Sequence, residues 1–362
     1  MLSTANWVKF DSMFSDLKVI DLSTVLAGPT VGSFFSELGA EVVKIEHPKH
    51  KDVTRTWRIP NEKNSITSYF SSCNYNKNYQ FLDLTLPTDY HHFLRQLVTA
   101  DLLLMNFKKG DDEKLGLTEA KLRAVNPNLI IAKISGFGSD SDRVAYDLIL
   151  QAETGFMSMN GEFDSMPLKM PVALIDVLAA HQLKEGILIS LLKKQKTNVG
   201  STVEVSLYDA AICSLVNQAS NYLMNGNVPF RMGSLHPNIA PYGELFSTKD
   251  KALVTFAIGS NKHFEWLCIL LNCPEIPKDP RFLNNVDRVA NRKLLFELLE
   301  PMVKQQDSYS LSQQMSKKFI PMGIVKNLDE VFKSPQAKQL IKEELIDGEM
   351  TRRVSQIAFK WK

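Results

Sequence analysis

The stretch that decides the fold runs Val19-Ile20-Asp21-Leu22-Ser23, then Ala27-Gly28-Pro29, then Leu38-Gly39-Ala40-Glu41-Val42-Val43-Lys44-Ile45-Glu46. Its first part, a short apolar run, reads as a buried strand. Ala27-Gly28-Pro29 is a turn that places proline at the first helical position, where its missing N–H costs nothing. A short helix to Leu38 follows, Gly39 stops it, and residues 41–46 form a second strand. Strand, helix and strand in so few residues imply parallel pairing with a right-handed crossover.

The alternation continues. Strands are expected at residues 81–84, 102–105 and 129–134, with helices at 89–99 and 118–125 between them. An open, doubly wound α/β sheet is the architecture that fits. Residues 201–206 read as another strand and 207–224 as one apolar helix. From Asn225 to Tyr242 the chain is rich in Gly, Asn and Pro, which marks a linker. A smaller α+β region follows, with strands around Leu245 and over 253–258, and helices from Lys262 and Asn291. The chain is expected to leave it near Ile320-Pro321-Met322-Gly323-Ile324, and 351–359 reads as a final strand. The expected division is a large domain over 1–224, a linker with a small domain over 225–325, and a return segment over 326–362.

Composition narrows the function classes. Of the 362 residues, 44% are hydrophobic and 23% charged, as in ordinary globular chains. A net charge of +2 gives no electrostatic footprint for nucleic acid. No uncharged apolar run approaches the roughly 18 residues that a membrane span needs. Residues 1–16 lack the apolar core and cleavage pattern of a secretory leader. Four cysteines and seven scattered histidines show no metal-ligand spacing, so a reduced cytoplasmic protein is expected.

Among possible catalytic residues, Asp176 stands apart. It is a lone carboxylate in Met170-Pro171-Val172-Ala173-Leu174-Ile175-Asp176-Val177-Leu178-Ala179-Ala180, and shares a helical stripe with Ala179, Ala180 and Leu183. A buried carboxylate needs a partner or a task. From this segment alone it reads more readily as a helix N-cap, a position that aspartate favours, than as a catalytic group, and the two readings are compatible. His181, five residues on, faces elsewhere. No G-x-G-x-x-G fingerprint, P-loop or G-x-S-x-G elbow occurs. Glu46, without the glycines, reads as a solvated strand end. What remains is a set of strand-end loops, several carrying Lys or Arg, at the edge where open α/β sheets bind ligands.

Read in order, these loops resemble the class III CoA-transferase family, which includes formyl-CoA transferase, carnitine CoA-transferase and alpha-methylacyl-CoA racemase. The resemblance rests on the opening strand–turn–strand stretch with Pro48 and Arg55 beyond it, on Asn74-Tyr75-Asn76-Lys77 with Leu82-Asp83-Leu84 as the next strand, and on Asn106-Phe107 with Leu115-Gly116. It continues through Ser135-Gly136-Phe137-Gly138, His236-Pro237-Asn238-Ile239-Ala240-Pro241-Tyr242, Asp279-Pro280-Arg281-Phe282 and Asn291-Arg292, and spans roughly residues 17 to 360.

The resemblance implies a Rossmann-like open parallel sheet in a large domain, a smaller α+β domain, and two subunits interlocked as rings in a homodimer. It implies an acyl-CoA:carboxylate CoA-transferase with no permanently bound cofactor, taking a coenzyme A thioester and a small carboxylic acid as substrates. Asp176 stands at the position of the nucleophile. At a reference pKa of about 3.9 it would be ionised at neutral pH and need no base, and a helix start would keep it so. Val25, Leu26, Ala27, His47, Asn76, Lys77, Asn106, Phe107, Lys114, Tyr146 and Asp147 stand at CoA-binding positions. His47, Asn78 and Lys114 replace arginines that relatives often carry, which changes the phosphate contacts expected. The glycine-rich loop of the formyl-CoA and oxalate branch is replaced by His236–Tyr242. The chain stops at Lys362, where relatives usually add helices that bear on dimer wrapping. The racemase branch pairs its aspartate with a histidine before an Asp; here Tyr146 precedes Asp147, and a phenol is a poor base at neutral pH. A non-catalytic CoA-binding relative is the remaining alternative.

Overall fold

The computed structural model describes residues 13–360. The expectation about a leader rests largely on residues 1–12, which lie outside the described residues. Six parallel strands, β1 (Lys18–Asp21), β2 (Glu41–Glu46), β3 (Asn78–Phe81), β4 (Leu102–Met105), β5 (Ile130–Ser135) and β6 (Thr202–Ser206), form one sheet in the order β3-β2-β1-β4-β5-β6. The order reverses between β1 and β4, which opens a crevice beyond their carboxyl ends.

Helices cover both faces. The helices of this part of the chain are α1 (Ala27–Glu37), α2 (Ser68–Cys73), α3 (Pro87–Leu97), α4 (Asp111–Lys114), α5 (Glu119–Val125), α6 (Asp147–Glu153), α7 (Phe156–Met159), α8 (Leu174–Thr197), α9 (Leu207–Cys213) and α10 (Val216–Asn225), of which α1 and α8 pack on one face and α3 and α5 on the other. Successive strand residues point to opposite faces, so Val19 joins the core with Phe35, Ala179 and Leu183, while Ile20 joins Phe93 and Leu97. Burial on both faces is why these strands read as nearly continuous apolar runs.

Local differences from the sequence reading have physical causes. Helix α1 begins at Ala27, so Pro29 is its third residue; first-turn N–H groups lack intrahelical acceptors, and proline is tolerated there too. A Cβ on Gly28 would meet the Ser23 side chain at 2.3 Å, so this turn admits no larger residue without movement. β3 starts at Asn78, and Leu82-Asp83-Leu84 lies beyond it; the Asp83 carboxylate accepts the Thr85 N–H at 3.0 Å in a turn. The expected single helix over 207–224 is two, broken where Val216 takes a φ of 42°. Glu46 is buried and ion-paired to Arg55 at 2.6 Å rather than solvated.

The chain divides into two compact units. The first holds the described residues up to Ser158, Lys169–Pro229 and those from Lys338 on; the second holds Met159–Leu168 and Phe230–Ala337. Residues 159–168 thus belong to the second unit although they fall inside the range expected for the large domain. The second unit has an antiparallel sheet of β7 (Tyr242–Ser247), β8 (Leu253–Ala257) and β9 (Met322–Ile324). Helices α11 (Asn261–Leu270), α12 (Asn285–Ala290), α13 (Arg292–Val303) and α14 (Ser308–Lys317) accompany it, with a core that includes Phe246, Phe256, Leu267 and Leu295. Because β9 pairs with β8, residues 322–324 are a strand of this unit, which runs on to Ala337, and not its exit. The end of the chain returns to the first unit as a hairpin, β10 (Ile341–Ile346) and β11 (Glu349–Val354), turning at Asp347-Gly348 with φ of 51° and 82°. That dipeptide is a type I′ hairpin signal, which a search of the sequence for turns would have caught. Among the described residues no helix is long and apolar enough to cross a membrane.

Candidate active site

At the switch point between β1 and β4 lies a cavity of about 440 Å³, lined by Thr24, Val25, Asn106, Phe107, Lys108 and Tyr146 among others. The loops after β1 and β4 are tied together there. Asn106 Oδ1 accepts the Thr24 N–H at 3.0 Å, and Asn106 Nδ2 donates to the Thr24 carbonyl at 2.9 Å. Cations reach the rim. Lys109 donates to the Asp140 carbonyl at 2.9 Å, and Arg143 stacks over Phe137 while pairing with Glu153 at 2.6 Å. Lys133 lies 3.6 Å from Asp112. Lys108 is exposed and forms no ion pair with any described residue.

Tyr146 connects this cavity to Asp176. The residue after it, Asp147, opens α6 and is buried; its Oδ1 accepts the Ile175 N–H at 2.8 Å, capping α8 one residue before Asp176. Asp147 Oδ2 accepts from Gln151 Nε2 at 2.7 Å, and Gln151 Oε1 accepts the Met170 N–H at 2.7 Å. Both ends of the 170–175 segment are therefore pinned to α6.

Asp176 is the third residue of α8, not its N-cap, and is buried. Burial first, and the Asp147 carboxylate second, push its pKa up to about 7. This corrects the expectation of an ordinary, ionised aspartate. The helix start does not hold it ionised, because burial outweighs it and Asp147, which takes the Ile175 N–H, adds a second negative charge. Tyr69, which no motif marked, is pushed up to about 12 by burial and then by Asp176, so its hydroxyl stays protonated within electrostatic reach of that carboxyl. Asp147→Asn keeps an oxygen for the Ile175 N–H and removes the charge. The expected result is a midpoint for Asp176 clearly below 7 in a carbon-13 carboxyl NMR titration; an unchanged midpoint would show that Asp147 plays no part.

The other sequence candidates are dispersed. Leu26 and Ala27 open α1 beside Val25. Lys77 is wholly enclosed, donating to Asp21 Oδ2 at 2.9 Å, the Pro29 carbonyl at 2.8 Å, the Cys73 carbonyl at 3.1 Å and Asn74 Oδ1 at 2.9 Å. Asn76 takes a φ of 51° in the turn before β3, and its N–H donates to Glu344 at 2.8 Å. His47 Nε2 lies 3.4 Å from Asp83. Lys114 is exposed and pairs with Asp111 at 3.0 Å. Val25, Asn106, Phe107 and Tyr146 thus share one cavity, whereas Lys77 has no surface to offer a ligand. Among the described residues there is no cluster of potential metal ligands.

Comparison with known proteins gives a consistent result. The family model described as CoA-transferase family III matches residues 14–361. Succinate--glutarate CoA-transferase of Agrobacterium fabrum is 33% identical over 332 residues, covering 90% of this chain and 82% of that protein. Acetyl-CoA:oxalate CoA-transferase of Acetobacter aceti is 34% identical over 327 residues, covering 89% and 83%. Among solved structures, a CAIB/BAIF family protein from Brucella suis superposes with a TM-score of 0.80 at 35% identity, covering 95% of this chain and 91% of the other.

Proposed function

The chain belongs to CoA-transferase family III and is a CoA-transferase, and from that premise we propose that it moves CoA from an acyl-CoA thioester to a small carboxylic acid through covalent intermediates on Asp176. The observation that carries this is the link from cavity to carboxyl: Tyr146 lines the cavity, and its neighbour Asp147 holds the N–H adjacent to Asp176. The cavity lies where an open α/β sheet receives ligands, and the Lys108, Lys109 and Arg143 side chains at its rim suit the phosphates of CoA. Val25, Leu26, Ala27, Asn106, Phe107, Tyr146 and Asp147 are proposed as the CoA-binding loops.

In the first step an Asp176 carboxylate oxygen attacks the thioester carbon, the C–S bond breaks, and CoA leaves as a thiolate. The result is a mixed anhydride between Asp176 and the donor acyl group. The thiolate then attacks the Asp176 carbonyl, releasing the donor acid and leaving an aspartyl-CoA thioester. The acceptor carboxylate attacks that thioester, forming a second anhydride, and the thiolate takes the acceptor acyl group and frees Asp176. No step requires an added base, only an ionised carboxylate. Tyr69, protonated and within electrostatic reach of Asp176, is proposed as a donor to the charge that develops on oxygen.

No permanently bound cofactor is proposed, and CoA thioesters act as substrates. The assembly is proposed to be a homodimer of interlocked rings, as the family implies. Four free thiols fit a reducing compartment, and the cytoplasm is the proposed location.

The pH dependence tests the chemistry. A carboxyl with its pKa pushed up to about 7 is mostly protonated at pH 6 and mostly ionised at pH 8, and only the ionised form attacks. The expected kcat/KM for an acyl-CoA donor therefore rises about tenfold per pH unit below 7 and flattens above it. A flat profile from pH 5 to 8 would contradict the assignment.

A further inference from the structure

Val25 stands at the cavity with a φ of 72°, in the left-handed region that β-branched residues avoid. No glycine relieves the strain at that position, so something else must hold it. We propose that Cys73 and Asp52 are positioning residues that clamp Val25 in this conformation and so shape the acyl-CoA side of the cavity. The proposal rests on reading the cavity as the CoA site.

All four backbone polar groups of Thr24 and Val25 are bound to side chains from elsewhere. Asn106 takes both groups of Thr24, as described above. Asp52 accepts the Val25 N–H with its two oxygens at 3.3 and 3.2 Å. The Cys73 thiol donates to the Val25 carbonyl at 3.2 Å. Both anchors are themselves fixed. Asp52 is buried 3.4 Å from Lys44 and also accepts from Thr54 Oγ1 at 2.7 Å. Cys73 closes α2 and is fully buried, which pushes its thiol up to about 11 and keeps the proton it donates. A loop held at every backbone group needs no ordering when ligand arrives. The clamp offsets the strain that a β-branched residue brings at this φ.

Cys73→Ala removes the donor. With succinyl-CoA as the probe donor, we expect KM to rise about tenfold, the scale of one left-handed β-branched residue, while kcat and the KM of the carboxylate acceptor stay within about twofold. Cys73→Ser keeps a donor and stays within about threefold of the parent in donor KM. Glycine adopts positive φ freely, so adding Val25→Gly to Cys73→Ala brings the donor KM back to within about threefold. An unchanged KM in folded Cys73→Ala, a tenfold rise in Cys73→Ser, or failure of Val25→Gly to restore binding would each overturn the clamp. Lys108→Ala and Arg143→Ala touch the same cavity without touching the loop. If neither weakens CoA binding, the cavity reading itself fails; if both do and the cysteine variants do not respond, the clamp alone fails.

Discussion

Asp176→Asn is expected to form no covalent acyl or CoA adduct and to lose at least about 10³-fold in transferase turnover, because a neutral amide cannot attack a thioester. The same variant should be the more stable protein at alkaline pH. The carboxyl binds its proton more tightly in the folded state, with a pKa of about 7 against 3.8 when solvated. Folded stability is therefore fullest below about pH 4, declines as pH rises toward 7, and is level above it. Asparagine escapes this loss. The two proteins should melt together near pH 4, and the variant should melt higher at pH 8, by no more than a few kcal/mol in stability. A drop in melting temperature with the loss of activity would instead point to collapse of the helix start. Gain of stability with loss of function is what a carboxyl held for chemistry predicts.

Lys77→Met should have the largest effect on the fold. Lys77 and Asp21 lie at 2.9 Å with both side chains shut off from solvent, and Gly32 of α1 leaves their space open: a Cβ there would meet Asp21 Oδ2 at 2.9 Å. Burial alone would raise the Asp21 carboxyl, but the Lys77 and Lys44 cations outweigh it and hold it below its usual value. Removing Lys77 leaves a buried charge with less compensation, at a cost of about 3–5 kcal/mol. A fall of roughly 10 °C in melting temperature is the expected result. Lys77→Met with Asp21→Asn should recover part of it, since the uncompensated charge is gone. If Lys77→Met melted like the parent but failed to bind CoA, Lys77 would be a ligand-binding residue after all.

Much of the architecture was legible in the sequence because the strands of a parallel sheet are buried on both faces and read as apolar runs. Val19-Ile20 and the 102–105 run announce themselves in this way. Boundaries were less legible where a loop competes with the element. Leu82-Asp83-Leu84 alternates like a strand, yet the Asp83 carboxylate turns the chain. The break before α10 at Val216 carries no glycine or proline to mark it.

At the site, Asp176 could be found because a lone carboxylate in an apolar stripe is conspicuous. Its protonation could not be, because that depends first on how completely the fold buries the carboxyl and then on Asp147, 29 positions away along the chain and capping the same helix. Lys77 shows the limit from the other side. A lysine in a loop motif reads as a phosphate contact, and only packing reveals that four acceptors already enclose it. Asp52, Cys73 and Tyr69 have no sequence signal of their own; each matters through what the fold brings beside it.

The most direct test is mass spectrometry of the protein quenched in acid shortly after mixing with succinyl-CoA or acetyl-CoA, with a parallel sample trapped by hydroxylamine. The account predicts an acyl or CoA mass, or the hydroxamate, on the peptide that contains Asp176, and none in Asp176→Asn. A covalent adduct on another residue, or CoA transfer at undiminished rate in Asp176→Asn, would contradict it.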